Sequence, residues 1–291
     1  MKVPSNTLTL IGAASGLGAP DKRCARAPAA IWKAGQLLPG LGIEWGAIVE
    51  PSPAAEGVEG ITQFCADLAA TVAAEMAAGR RVAVIGGDHS CAIGTWSGVA
   101  RSVAGPLGLI WIDAHMDAHT PFSTPSGYWH GMPVATLLGQ GAPTLVNLAP
   151  HGYAVQPQHL VLVGVRSFEP PEKALLQQLG VKVFSDDDVD RIGFENVMRQ
   201  AQQIVTAGTV AYGLSIDLDG LDIRDAPGVG SPVVGGIAAK KLLAALAQLA
   251  PDPRLVAMEI AEFNPAIDVE KRTRQLVLAL LAAVNGKAGV L

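Results

Sequence analysis

Three short apolar runs, Val82–Ile85, Leu107–Ile112 and Val210–Ile216, each pass directly into acidic and histidine residues. The first leads into Gly86-Gly87-Asp88-His89-Ser90. The second leads into Asp113-Ala114-His115-Met116-Asp117-Ala118-His119, and the third into Asp217-Leu218-Asp219-Gly220. Short, branched apolar runs of this kind suit strands buried on both faces. Further strands are predicted at Thr7–Gly12, Leu160–Val163, Val181–Phe184 and Leu255–Ile260. Helical patterns run over Ala27–Leu38, Val58–Ala78, Glu172–Leu179, Phe194–Thr206, Ala238–Leu249 and Val269–Val284. Strands alternating with helices predict an α/β fold with a largely parallel sheet covered on both faces. Such sheets collect ligands beyond the C-terminal strand ends, where the polar clusters stand.

At 291 residues the chain is expected to form one large domain over residues 1–291. Only 16% of residues are charged, which leaves a small or apolar surface suited to burial in a homo-oligomer. The net charge of −5, with no Lys/Arg-rich run, argues against nucleic acid and suits a cationic substrate. No stretch approaches the ~20 apolar residues needed to span a bilayer. The start of the chain shows no secretory pattern, so a cytoplasmic protein is expected. Cys24, Cys65 and Cys91 are read as ordinary buried thiols rather than as a disulfide or zinc framework.

Side chains alternate along an extended chain. If the segments after the strands stay extended, Asp113, His115 and Asp117 face one way, as do Asp217 and Asp219, with His89 approaching from a neighbouring strand end. Burying these carboxylates together is costly unless cations compensate. Four carboxylates and two imidazoles suit two divalent ions, Mn2+ before Zn2+ or Fe2+. Two ions ~3.5–4 Å apart can hold a water between them and lower its pKa. Asp113 and Asp217 are assigned as the bridging ligands. Met116, between ligand positions, is read as a core residue. The Asp186-Asp187-Asp188 run is read as a helix N-terminus favoured by the helix dipole, and the long Asp117–Trp129 loop as functional.

These residues resemble the ureohydrolase family, its arginase branch more than its agmatinase branch. The matching stretches are GGDHS (86–90), WIDAHMDAHTP (111–121), SGYWHGMPVA (126–135), SIDLDGLD (215–222), SPVVGG (231–236) and EFNP (262–265). The resemblance implies a three-layer α/β/α fold with a mainly parallel, about eight-stranded sheet, and a trimer or hexamer. It implies two Mn2+ ions held by His89, Asp113, His115, Asp117, Asp217 and Asp219. The implied reaction is hydrolysis of a guanidino group by a metal-bridging hydroxide, with L-arginine giving L-ornithine and urea.

Within that reading Asp117 orients the nucleophile and Glu262 binds the guanidinium. His130 shuttles a proton to the leaving amine. Thr124 and Ser126 match residues that hold the substrate carboxylate, Glu169 and Glu172 those that meet its ammonium, and Ser231 one that lines the guanidinium pocket. Glu259, three residues before Glu262, is read as a structural partner on the opposite face of its strand. His119 and Tyr128 stand where the arginase pattern has asparagines. They therefore keep a second reading open, in which the substrate is guanidinobutyrate, guanidinopropionate or agmatine.

Overall fold

The computed structural model describes residues 7–35 and 38–287. Eight strands form one sheet: β1 (Leu8–Ala13), β2 (Ile43–Val49), β3 (Arg81–Gly86), β4 (Leu107–Ile112), β5 (Leu160–Val165), β6 (Lys182–Ser185), β7 (Ala211–Asp217) and β8 (Leu255–Ala261). Their order is β2-β1-β3-β8-β7-β4-β5-β6, and every neighbouring pair is parallel. Among the described residues ten α-helices accompany them: α1 (Ala27–Ala34), α2 (Gly57–Ala77), α3 (Cys91–Ser102), α4 (Pro133–Leu137), α5 (Pro143–Val146), α6 (Pro170–Leu179), α7 (Asp186–Ile192), α8 (Phe194–Val205), α9 (Ala239–Leu249) and α10 (Arg272–Val284).

The sheet separates two apolar layers. One packs α1, α7, α8, α9 and α10 against residues such as Ile110, Leu214 and Met258. The other packs α2 to α6 against Val84, Leu109, Trp111 and Leu162. Adjacent residues of one strand, such as Ile110 and Trp111, enter opposite layers, which is why the central runs are apolar without interruption. The three-layer α/β/α arrangement expected from the sequence is the one observed. Cys24, Cys65 and Cys91 are all buried free thiols, and Met116 joins the core as read.

Four elements escaped the sequence reading: β2, α3 and the short helices α4 and α5. β2 is an edge strand in which Glu44 and Gly46 break the apolar run, and much of it is exposed. α3 carries Gly94, Thr95 and Gly98, which weaken a helical pattern. These glycines let α3 lie against α2: a Cβ at Gly94 would stand 2.7 Å from Cys65 O, and one at Gly98 2.6 Å from Ala69 O. Two boundaries also moved. The helix expected from Val269 starts at Arg272, because Asp268 accepts the Thr273 and Arg274 N–H groups and Lys271 turns left-handed at φ 60°. The end of the expected Ala27–Leu38 helix falls partly on residues 36–37, outside the described residues; α1 closes at Ala34. The Asp186–Asp188 run begins α7 as read, with Ser185 Oγ accepting the Asp188 N–H.

Candidate metal centre

The six expected ligands converge at the C-terminal ends of β3, β4 and β7. His89 follows β3, Asp217 ends β7, and Asp219 lies in the tight turn Leu218–Gly220 directly after it. The segment after β4 does not stay extended. It bends at Ala114–His115, and Asp117 takes a left-handed φ of 49°. The local alternation used to align Asp113, His115 and Asp117 is therefore replaced by a turn that divides them between two clusters. One comprises His89, Asp113, Asp117 and Asp217; the other comprises Asp113, His115 and Asp219. Within each, one ligand atom per residue lies within 4.8 Å of the others. Asp113 is common to both. Asp217 stands in the first cluster, and its Oδ1 accepts the Asp219 N–H at 2.8 Å.

The hydrogen bonds around His89 identify which nitrogen is free. Ser215 Oγ donates to Glu259 Oε2 at 3.0 Å, so it accepts from His89 Nε2 at 2.9 Å. That places the proton on Nε2 and leaves the Nδ1 lone pair facing carboxylates. Asp217, Asp117 and Asp113 each bring an oxygen within 2.9, 3.2 and 3.3 Å of Nδ1. Yet among the described residues neither Nδ1 nor Asp117 Oδ2 has a hydrogen-bond partner, and both are buried. A lone pair meeting carboxylate oxygens is repulsive unless a cation stands between them. The donor set and these orphaned atoms fit a pair of divalent ions.

The protein's own electrostatics point the same way. Burial pushes Asp117 up to about 7, and the neighbouring Asp113 adds to this. Burial would lower His115, but Asp113 and Asp219 override it and push it up to about 12. Trp111 stacks on the His89 ring with centroids 4.2 Å apart and donates its indole N–H to Asp113 Oδ2 at 2.9 Å.

Glu262 directly follows β8, with φ 64°. Its Oε1 accepts the His89 backbone N–H at 2.8 Å and lies 3.2 Å from His130 Nδ1. Burial opposes protonation of His130, but Glu262 outweighs it and pushes the imidazole up to about 9. A non-glycine residue with positive φ is strained, and such strain gathers at functional sites. Asp117 and Glu262 both show it beside this crevice. Glu262, His130 and Ser231 line one small recess with Asp21, Cys24 and Asn264.

The remaining residues separate into two groups. Glu172 is buried, with Oε1 accepting the Ala118 N–H and Oε2 the Glu169 N–H. Glu169 is exposed, and its Oε2 meets His119 Nε2 at 3.0 Å, while His119 Nδ1 meets Ser123 Oγ at 3.1 Å. Thr124, Ser126 and Tyr128 lie on the exposed part of the loop, where the Tyr128 ring stands edge-on to His130. Three contributors were missed in the sequence. Asp88 accepts the Gly18 N–H, and Gly18 O in turn holds the His130 N–H. Ser215 lies two residues before Asp217 in the same strand, so alternation could have found it. Arg166 carried no local signal.

Comparison with known proteins agrees with this geometry. The model of the Arginase family matches residues 6–285. The arginase of Bacillus caldovelox is 41% identical over 220 residues, covering 76% of this chain and 73% of its own length. The crystal structure of arginase from Bacillus subtilis superposes with a TM-score of 0.90 at 34% identity, covering 98% of this chain and 100% of that one. The arginase of Entamoeba histolytica, solved with L-ornithine, gives 0.89 at 28% identity, over 98% and 100% of the two chains. Eight parallel strands, two acidic clusters at their carboxyl ends and matches over nearly the whole length agree: this chain belongs to the arginase family.

Proposed function

We propose that the protein hydrolyses L-arginine to L-ornithine and urea with two Mn2+ ions, held by His89, Asp113, Asp117 and Asp217 on one side and Asp113, His115 and Asp219 on the other. Asp113, common to both groups, would serve both ions, and Asp217 would be the second residue to do so. Carboxylates with two imidazoles favour Mn2+ over softer ions. Bound there, the ions lower the pKa of water and make it nucleophilic at neutral pH.

The observation that carries this reading is the position of Glu262 between the main chain of His89 and the His130 ring. A carboxylate matches the planar N–H fork of a guanidinium, and fixing that group places its carbon for attack. Ser231 lines the same recess. Asp117 would hold an ion through the oxygen that faces His89 Nδ1 and accept a hydrogen bond from the attacking water through its other carboxylate oxygen. His130, kept protonated by Glu262, gives its proton to the leaving amine nitrogen. At the far end Glu169 takes the substrate ammonium, and Thr124 and Ser126 donate to its carboxylate. Glu172 acts on the ammonium indirectly, by holding the Glu169 backbone. L-Ornithine, held by the Entamoeba relative, is the amine that arginine leaves after loss of urea.

A second reading has its own observation. His119 already occupies Glu169, and Tyr128 adds bulk at the rim. An occupied Glu169 favours a tail without an ammonium, as in guanidinobutyrate or guanidinopropionate, and a crowded rim favours a tail without the α-carboxylate, as in agmatine. Urea release from these three and from L-arginine, measured side by side on Mn2+-loaded protein, decides. Arginine preference supports the first reading and preference for another substrate the second. No urea from any, with metal bound, overturns both. The proposal includes a cytoplasmic homo-oligomer, a trimer or hexamer, supported by the low charged fraction of 16%. Light scattering on the purified protein checks its mass.

A further inference from the structure

Arg166 stands one residue beyond β5, and all five of its guanidinium N–H groups donate to backbone carbonyls. Nε reaches Val234 O at 3.1 Å. Nη1 reaches Gly164 O and Gly220 O, both at 3.3 Å, and Nη2 reaches Asp219 O at 2.7 Å and Val233 O at 3.0 Å. The main chain at the same point adds two more bonds. The N–H groups of Arg166 and Ser167 both donate to Ala114 O, at 2.8 and 2.9 Å.

These partners are not scattered. Ala114 lies between Asp113 and His115, and Asp219 is the remaining member of the same cluster. Every residue of the second cluster is thus fastened, directly or through its neighbour, to the main chain or side chain of Arg166. Val233 and Val234 belong to the loop that begins at Ser231. The residues peculiar to the first cluster are anchored elsewhere: His89 through Ser215 and Glu262, Asp117 through its carbonyl to the Val134 N–H, and Asp217 within β7. None of the five side-chain acceptors is a carboxylate, so the guanidinium is used for its fork of donors rather than for an ion pair. A planar, permanently charged group with five donors can join three backbone segments; an ammonium with three donors on a flexible stem cannot reproduce that geometry.

We infer that the Arg166 side chain is a positioning group that sets Asp219 in the second metal cluster and locks the Ser231 loop to it, while the residues peculiar to the first cluster stand without it. This rests on the two-ion reading above. The test uses the full chain stripped of metal and titrated with Mn2+, with bound ions counted by elemental analysis and their coupling read by electron paramagnetic resonance. Wild type should bind two ions and show an exchange-coupled signal. Arg166→Met should keep one ion at wild-type affinity and bind the second about 10–100-fold more weakly, as expected when an outer partner of a metal ligand is lost. Its spectrum should revert to isolated Mn2+ until that second ion is driven on.

Arg166→Lys, which keeps charge and stem, should show the same split and serves where the methionine variant does not fold; circular dichroism reports folding. Arg101→Met removes a guanidinium from another carbonyl, Leu148 O, at the far end of α3, and should keep both ions. Equal weakening of both ions, or no change, overturns the role of Arg166. Fewer than two ions in wild type overturns the two-ion reading and this inference with it.

Discussion

His130 Nδ1 lies 3.2 Å from Glu262 Oε1, the oxygen that also accepts the His89 backbone N–H. One carboxylate oxygen therefore connects the main chain of a metal-cluster residue to the proposed proton donor. The pairing has a defined pH signature. With His130 pushed up to about 9, the stability it contributes is fully present below the ordinary histidine value of 6.5 and is lost as pH rises through about 9. The difference in unfolding midpoint between metal-free wild type and Glu262→Gln should be largest near pH 6 and shrink toward pH 10. A difference that stays constant over that window would remove the pair from the account.

Replacing His130 with alanine should reduce kcat by about 10²- to 10⁴-fold, the usual range for losing a positioned acid. Two ions should remain bound, because His130 belongs to neither cluster. Turnover and elemental analysis on the same preparation separate these effects; loss of metal would mean that His130 has been given the wrong role.

Chelation should lower the unfolding midpoint, because His89 Nδ1 and Asp117 Oδ2 are left facing buried carboxylates without a cation. Restoring Mn2+ at a hundred times its Kd should return about 2.7 kcal/mol per site. Since Asp117 is pushed up to about 7, ion binding there must displace a proton below that pH. Retained metal should therefore fall between pH 7 and pH 5. An unfolding midpoint indifferent to chelation would argue against both sites.

Glu259 is buried and accepts from Thr95 Oγ1 at 2.7 Å, Ser215 Oγ at 3.0 Å and Trp96 Nε1 at 3.2 Å. Glu259→Leu would strand these donors and release Ser215 from its hold on His89. Stability should drop by at least about 3 kcal/mol, since each unsatisfied buried group costs ~1–3 kcal/mol. Chemical denaturation of wild type and variant measures it, and a loss under 1 kcal/mol would contradict the buried network.

Glu169→Gln should raise KM about 10- to 100-fold for substrates bearing an ammonium, arginine and agmatine, the range for losing a charged hydrogen bond. Guanidinobutyrate, which lacks the ammonium, should be unaffected. Equal effects on all three would show that Glu169 does not read that group.

The sequence alone determined seven of the eight strands and the residues proposed for the centre. Strands buried on both faces must be continuously apolar, so their ends were visible, and charged residues placed immediately after them could only gather at one edge of a parallel sheet. That was sufficient to name the six proposed ligand positions and to expect Glu259 as a structural partner. Extended alternation could not describe the chain after β4, because the turn at Ala114–His115 and the left-handed Asp117 depend on bonds from distant segments. For the same reason the division into two clusters, the Nε2 proton of His89 and the pairing of His130 with Glu262 were decided only by tertiary structure. Each depends on residues brought together from separate strand ends. Arg166 shows the limit most clearly: its partners are main-chain carbonyls, and a carbonyl leaves no trace in the identity of the residue that carries it.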